Sequence, residues 1–543
     1  MVCKKQLINP AFTIVELLVV IVVIGILAAI TIVSYTGLSS KATLASLQSD
    51  LINSSKQLKI FQTVNGNYPT TISLDCSAAP DSITNKCLKL SSGNTITSLT
   101  NDYFVNNNTN PQTFSLTIKN SSTNIISLVT ESSKPSILVP APLNPVADWI
   151  AVPRDTNNTN YDHYGNYYDT VSKTYATVSR ATTKTIYDPN TQHIYDVPAN
   201  KLAINPRSDG KSGYEGVVEE GRTNLVINSY FNTGDFTNWS IDNKAVAEVS
   251  IDNSQTIYGT KAVKIDKSIL GQSPCIFSAR FAVTANTTYT ASAFYKNSDF
   301  SSGASIFYLR WYDSGGASIS SSTTVSPPSS TTWSRSSVIV AAPSNAATAD
   351  IILRANNSFL GQLWYGAAQV ETGAFVTSYI PTTNSTVTRN ADVVTVPTTN
   401  WVATPASIFG VVGSPGDASL SDIFSRSNEG AGLQSAISSG EFYPKILGGD
   451  LNYQSPDSHI AISLPGVVAA TWDNTTVNSY ANGTASTVGT ITPRISSNVA
   501  LRIGARVDNF LYYNGPISRI ITYSTALSSV DVSSVTNSIK NGP

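Results

Sequence analysis

The chain has 543 residues, with 34 basic against 35 acidic side chains, a net charge of −1 and only 13% charged residues. Near-neutrality excludes a nucleic-acid-binding surface spread over the whole chain, though not a local basic patch. The length is too great for one domain and corresponds to about three or four.

In chain order, Lys4 and Lys5 lead a short polar stretch, and Phe12 to Val33 then runs almost wholly apolar. That run is long enough to cross a bilayer as a helix at about 1.5 Å per residue. Glu16 stands near its start, where a carboxylate costs a few kcal/mol and calls for a functional partner. From Ser34 to Phe61 there is no proline, and Leu44, Leu47, Leu51, Leu58 and Phe61 recur at helical spacing. One helix over 12–61 is therefore expected, ending at Asn65-Gly66-Asn67-Tyr68-Pro69, where Gly and Pro stop helices.

The basic leader, the Ala11-Phe12 junction and Glu16 resemble the N-terminus of type IV prepilins, although Gly is usual where Ala11 stands. The resemblance implies that residues 1–11 are a leader which prepilin peptidase removes before Phe12. The freed amine would be N-methylated, and Glu16 would neutralise that of a neighbouring subunit. Lys4 and Lys5 put the leader in the cytoplasm by the positive-inside rule. The implied partners are other pilin subunits, the peptidase and the inner or cytoplasmic membrane before assembly. The implied location is a single membrane pass, then a surface pilus.

A small β head is expected over 62–131, with a disulfide between Cys76 and Cys87, since an extracellular compartment allows one. Cys275 is left as a buried free thiol. Pro135, Pro140, Pro142 and Pro145 mark 132–145 as a stiff linker. Beyond it, short runs rich in Val, Ile, Thr and Tyr, broken by Gly, Asn and Pro, predict all-β modules. Tyr161, Tyr164, Tyr167, Tyr168, Tyr175 and Tyr187 crowd one stretch, read as a β-ribbon with aromatic cross-strand pairs. His163, between Asp162 and Asp169, reads as a solvated turn rather than a metal site.

The string EEGRTNLVINSYFNTGDFTNW from Glu219, and LWYGAAQVETGAFVTSYIPTTNSTVTRNADVV from Leu363, bracket a segment that resembles carbohydrate-binding-module-like jelly rolls of bacterial surface proteins and phage tail fibres. It is placed at 219–400, with 146–218 attached to it as a β lead-in. Such jelly rolls stack aromatic rings on sugars. Among Trp239, Trp311, Tyr312, Trp333, Trp364 and Tyr365, most are core by this pattern. Trp311 and Tyr312 are adjacent, so on a strand one points in and one out, and one of them is the candidate platform. The resemblance also implies a structural Ca²⁺ held by Glu371 and oxygens near Asn228, although Asn232 stands where an acidic residue is usual.

VVAATWDNTTVNSYANG and ALRIGARVDNFLYYNGPISRIITYSTALSSVDV resemble a concanavalin-like (laminin-G-like) β-sandwich, placed at 401–543. Asn482-Gly483 is the expected hairpin turn, because both positions need positive φ. Asp508, Tyr512 and Tyr513 lie near an edge where such sandwiches bind glycans or proteins.

The expected architecture is thus multidomain α+β: a long pilin helix with a small β head, then an all-β jelly roll and a β-sandwich. Acidic residues are sparse and no catalytic motif stands out, so a binder is expected rather than an enzyme. The expected function is a minor or tip pilin subunit displaying glycan- or cell-binding modules. The alternative is a structural pseudopilin of a type II secretion or competence-type system whose β domains contact proteins.

Overall fold

The computed structural model describes residues 42–43, 45–74, 76, 86–96, 103–107, 112–120, 126–130, 136–138, 145–153, 163–209, 211, 213–242, 249–271, 273–298, 305–322, 324–396, 406–415, 421–425, 432–438, 440–447, 460–473, 476–486, 489–490, 500–506 and 511–541. The chain divides into two compact units, Met1–Val139 and Pro140–Pro543. Ala11, Phe12, Glu16 and the apolar run lie outside the described residues. No helix among those residues is long and apolar enough to cross a membrane.

In the first unit a helix runs over 45–65. Leu47, Leu51 and Leu58 are buried along one face against Tyr68 and Leu88 of the connecting segments and Phe114 and Leu116 of the sheet. Phe61, expected on that face, is only half-buried. The helix stops where the sequence predicts: Gly66 takes φ 78°, and its N–H donates to Gln62 O at 2.8 Å. Asp50 ties helix to sheet, accepting from Ser91 N–H at 2.8 Å and Asn94 Nδ2 at 2.8 Å. Cys76 and Cys87 are disulfide-bonded, their Cα atoms 5.1 Å apart. The central strand Thr113–Asn120 pairs with Asn94–Thr95, Tyr103–Asn106 and Ile126–Thr130. Ser136–Leu138 adds to Ile126–Thr130, so the expected linker 132–145 supplies the last strand of the head. The flanking prolines do not prevent this pairing, since an edge strand tolerates them.

The second unit departs most from expectation. Strands of 146–218 do not form a lead-in to the jelly roll. Ala147–Val152 pairs with Gly515–Tyr523, and the same sheet continues through Ala406–Val412, Gly466–Trp472 and Thr476–Ala481. Tyr164–Asp169, Leu202–Pro206 and Tyr214–Val218 extend it on the other side. Tyr214–Val218 also pairs with Gly515–Tyr523, closing five strands into a ring. Tyr167, fully buried in that ring, donates its hydroxyl to Ile517 O at 2.8 Å. The facing sheet likewise mixes Thr177–Ser179 with Val393–Val396, Leu501–Ile503 and Ser421–Ser425. The concanavalin-like sandwich is therefore discontinuous, and the jelly roll is inserted into it. Val393–Val396 belongs to the sandwich, so the inserted module ends near Asp392 rather than at 400.

The hairpin Lys184–Asp188 and His193–Val197 is the part of 146–218 that leans on the jelly roll. Ile194 packs with Phe294, Trp333 and Trp364, and Tyr187 donates to Trp333 O at 2.7 Å. The expected aromatic pairing occurs between Tyr168 and Tyr175, ring centroids 5.0 Å apart, while Tyr161 lies outside the described residues. His163 is not a solvated turn. It is buried and stacks on Tyr195 at 3.8 Å, and burial lowers its pKa.

The jelly roll consists of two antiparallel sheets. One runs Trp239–Asp242, Cys275–Ser278, Thr348–Ala355, Ser305–Tyr312 and Ser318–Ser321, and the other Val249–Asp252, Ala262–Lys267, Gly361–Thr372, Thr288–Asn297 and Ser334–Ala341. Phe231, Trp239, Phe307, Trp311 and Tyr365 fill the space between them. At its base, Arg222–Asn224 pairs with Val387–Arg389.

A buried ionic cluster sits where the chain enters and leaves this module. Asp392 accepts from Arg180 Nη1 at 2.5 Å, Lys184 Nζ at 2.7 Å and Glu219 N–H at 3.0 Å. Glu219 accepts from Arg389 Nη1 at 2.5 Å and lies 2.8 Å from Lys184 Nζ. All five residues are at most 5% exposed. Every charge has an opposite partner, the condition under which ions survive burial.

At the C-terminus, Ser529–Asn541 is a helix that the all-β reading missed. Val532, Val535 and Ile539 pack on Phe409, Val467 and Tyr523. Ser528 caps it, its Oγ accepting from Asp531 N–H at 3.2 Å. Asn482 and Gly483 take φ 54° and 88°, as their hairpin requires.

Candidate functional site

The strand Ser305–Tyr312 alternates strictly. Phe307, Leu309 and Trp311 enter the jelly-roll core, so Tyr308, Arg310 and Tyr312 face the other way. Across the sheet, Asp350 lies opposite Arg310, and Ile352 lies between Tyr308 and Phe277. A groove of about 590 Å³ opens on this face, lined by Ser240, Phe277, Arg280, Arg310, Tyr312 and Asp350, with Gly316 and Ser318 at one end.

Its polar groups are already organised. Arg310 grips Asp350 through Nε at 3.2 Å and Nη2 at 2.7 Å, and the Tyr312 hydroxyl donates to the same carboxylate at 3.0 Å. The Arg280 guanidinium lies 3.4 Å over the Tyr312 ring, and its Nη1 donates to Gly316 O at 3.2 Å. Burial, and then the Asp350 charge, push the Tyr312 phenol up, so the hydroxyl stays protonated and donating. Burial alone would lower the Arg310 pKa, but its bond to Asp350 outweighs that and raises it. The result is a preorganised strip of ring, guanidinium and hydroxyl groups. Asp350 is the one carboxylate among the described groove residues, and an opposed acid pair is not formed there.

The structure separates the other candidate residues. Trp311 is 2% exposed in the core between the sheets; Tyr312 is on the groove face but is itself only 4% exposed, covered by Arg280, so neither ring is a bare platform. Tyr512 and Tyr513 are buried rather than presented at an edge, and the Tyr513 hydroxyl donates to Gly413 O. Asp508 lies outside the described residues. Glu371 is fully buried and accepts from Gln369 Nε2 at 2.8 Å, Thr377 N–H at 2.9 Å and Thr377 Oγ1 at 2.7 Å. Asn228 is separately engaged, its Nδ2 donating to Thr233 Oγ1 and Thr237 O, both at 2.9 Å. Three or more His, Cys, Asp or Glu side chains do not gather into a metal-holding group anywhere among the described residues. Cys275 is buried and takes part in no disulfide.

Sequence reading missed Arg280, Arg310 and Asp350. The alternation of Tyr308, Arg310 and Tyr312 was a usable signal, but the register that sets Asp350 beside Arg310 was not visible. A second pocket, of about 340 Å³, lies in the sandwich beside Arg207, Lys211, Glu215 and Lys540. Its charges are largely self-contained: Arg207 Nε donates to Asp209 at 3.0 Å, and Lys211 Nζ to Lys540 O.

The Concanavalin A-like lectin/glucanases superfamily model (Laminin_G_3) matches residues 413–533. That contiguous stretch holds only the later strands of the sandwich, the others lying within 147–218 before the insertion and at Val393–Val396 and Ala406–Val412 just after it. A search of curated proteins returns no match. Among solved structures, tailspike protein 4 of bacteriophage CBA120 is 13% identical over 28% of this chain and 21% of that chain, with a TM-score of 0.24. A family 16 carbohydrate-binding module is 16% identical over 27% of this chain and 99% of that one, with a TM-score of 0.22. The CBM22-1 xylan-binding domain of Paenibacillus barcinonensis Xyn10C is 11% identical over 28% and 94%, with a TM-score of 0.22. At such TM-scores none of these likenesses bears on function. The chain carries a concanavalin-like segment at 413–533 within a largely β architecture.

Proposed function

We propose that the protein is a non-catalytic glycan-binding adhesin of the cell surface, with the open face of the jelly roll as its binding site. The carrying observation is the groove in which Tyr312, Arg280, Arg310 and Asp350 are locked together before any ligand arrives. Rigid aromatic and guanidinium groups lose little entropy on binding, which favours recognition. The concanavalin-like match at 413–533 supports a carbohydrate-directed reading.

The prepilin-type motif at Ala11, Phe12 and Glu16 carries the remaining part of the proposal. Processed by prepilin peptidase, the chain leaves the membrane and joins other subunits as a minor or tip pilin. A calcium ion near Asn228 and Glu371 would be structural.

The test is a glycan array probed with detergent-solubilised full-length protein, with and without calcium. Saturable binding to defined saccharides is expected, lost tenfold or more in Tyr312→Ala, which leaves the Arg310–Asp350 pair in place, with the far-UV circular dichroism of the variant unchanged. Binding to none of the saccharides by folded protein would overturn the reading and favour a structural pseudopilin that contacts proteins.

A further inference from the structure

The groove is rich in donors and poor in acceptors. Its carboxylate, Asp350, is taken up by Arg310 and by the Tyr312 hydroxyl. The Ser278 hydroxyl is likewise used, donating to Ala279 O at 2.9 Å and accepting from Ile351 N–H at 3.2 Å. Arg280 is different. It is exposed, held flat on Tyr312, and spends one N–H on Gly316 O. A guanidinium has five N–H donors, so most of the donors of this exposed, groove-lining side chain are left to solvent or a ligand.

The wider face has the same bias. Arg354 lies on it two residues along the strand from Ile352, with Arg354 opposite Cys275 and Ile306. Asp242 lies at the edge strand, opposite Cys275. Three guanidinium groups thus face one internally paired carboxylate and one at the edge. Neutral sugar hydroxyls both donate and accept, and beyond the exposed Ser240 and Ser318 hydroxyls would find few side-chain acceptors here. A planar anion brings the missing acceptors and matches a guanidinium fork in two-point geometry.

Resting on the glycan-binding reading above, we propose that the groove selects an acidic saccharide, the carboxylate of a uronic-acid-type sugar docking on Arg280 where it is stacked on Tyr312.

The experiment compares uronic-acid oligosaccharides with their methyl esters, using the full-length protein in calorimetric titration. The ester keeps the ring and removes the charge. The acid is expected to bind at least tenfold more tightly, with the difference shrinking as salt is raised. Arg280→Gln should remove most of the acid's advantage, the ratio of acid to ester affinity falling from tenfold or more toward one. Arg280→Lys, which keeps charge but not the fork, should fall between. Equal binding of acid and ester would overturn this inference while leaving glycan binding intact. Binding to dextran sulfate with none to uronates would overturn it in favour of sulfate recognition. Binding to none of these by a folded protein would overturn both readings.

Discussion

Asp392→Ala is expected to destabilise the Pro140–Pro543 unit by about 3–5 kcal/mol, because it strands buried cations. The carboxylate accepts from Arg180, Lys184 and the Glu219 backbone, and it is inaccessible to water. Arg180 retains carbonyl partners at Thr182, Lys201 and Pro198, which hold its position but do not cancel its charge. Urea unfolding followed by tryptophan fluorescence would read the loss, and a change below about 1 kcal/mol would show that the cluster does not hold the module. The same carboxylates set an acid limit. Burial alone would raise Glu219 and Asp392. Lys184 with Arg389 on Glu219, and Lys184 with Arg180 on Asp392, outweigh it and hold both pKa values below the ordinary range. Folded values lie below unfolded ones, so this stabilisation is complete above about pH 5 and drains away as pH falls through the folded values. The wild-type urea midpoint should drop below about pH 4, and Asp392→Asn should flatten that acid limb.

Trp311→Ala is expected to cost about 3–5 kcal/mol of stability, the range for emptying a large buried side chain. Trp311 is 2% exposed, with its ring 6.0 Å from that of Tyr289 in the jelly-roll core. Its neighbour has the opposite role. Tyr312→Ala removes a hydroxyl bond to Asp350 and the bed on which Arg280 lies, so glycan binding should fall tenfold or more. Trp311→Phe, which keeps most of the packing, should leave binding within twofold. Loss of binding in Trp311→Phe, with retention in Tyr312→Ala, would reverse the assignment of the two faces.

The parity of Trp311 and Tyr312 was legible because strand side chains alternate, and so were the Asn482-Gly483 turn and the stop at Gly66. Each is a local rule, satisfied by backbone geometry within a few residues. The assignment of 146–218 failed for the opposite reason. Ala147–Val152 finds its partner more than 360 positions away, in Gly515–Tyr523, and no local pattern records that pairing. The C-terminal helix was legible in principle. Ser528, Asp531 and the spacing of Val532, Val535 and Ile539 are an ordinary cap and apolar stripe, masked by the Val- and Ser-rich composition around them. Arg280 escaped notice because a lone arginine between strands acquires meaning only when Tyr312 is beneath it.

The insertion also orders the folding of the chain. A sandwich whose early strands wait for Gly515–Tyr523 must close across the whole module, and spanning 219–392 as loose chain costs roughly 4–5 kcal/mol of length-dependent closure entropy. The jelly roll draws its own strands from a continuous stretch, and once formed it brings its ends together, with Asp392 N–H bonded to Glu219 O at 2.9 Å. Pulse-labelled hydrogen exchange should therefore protect Cys275–Ser278 before Ala147–Val152, and simultaneous protection would argue against this order. A chain threaded outward from its N-terminus would hold its first sandwich strands idle until the last have emerged, with the module between them acting as the clasp that makes two distant segments neighbours.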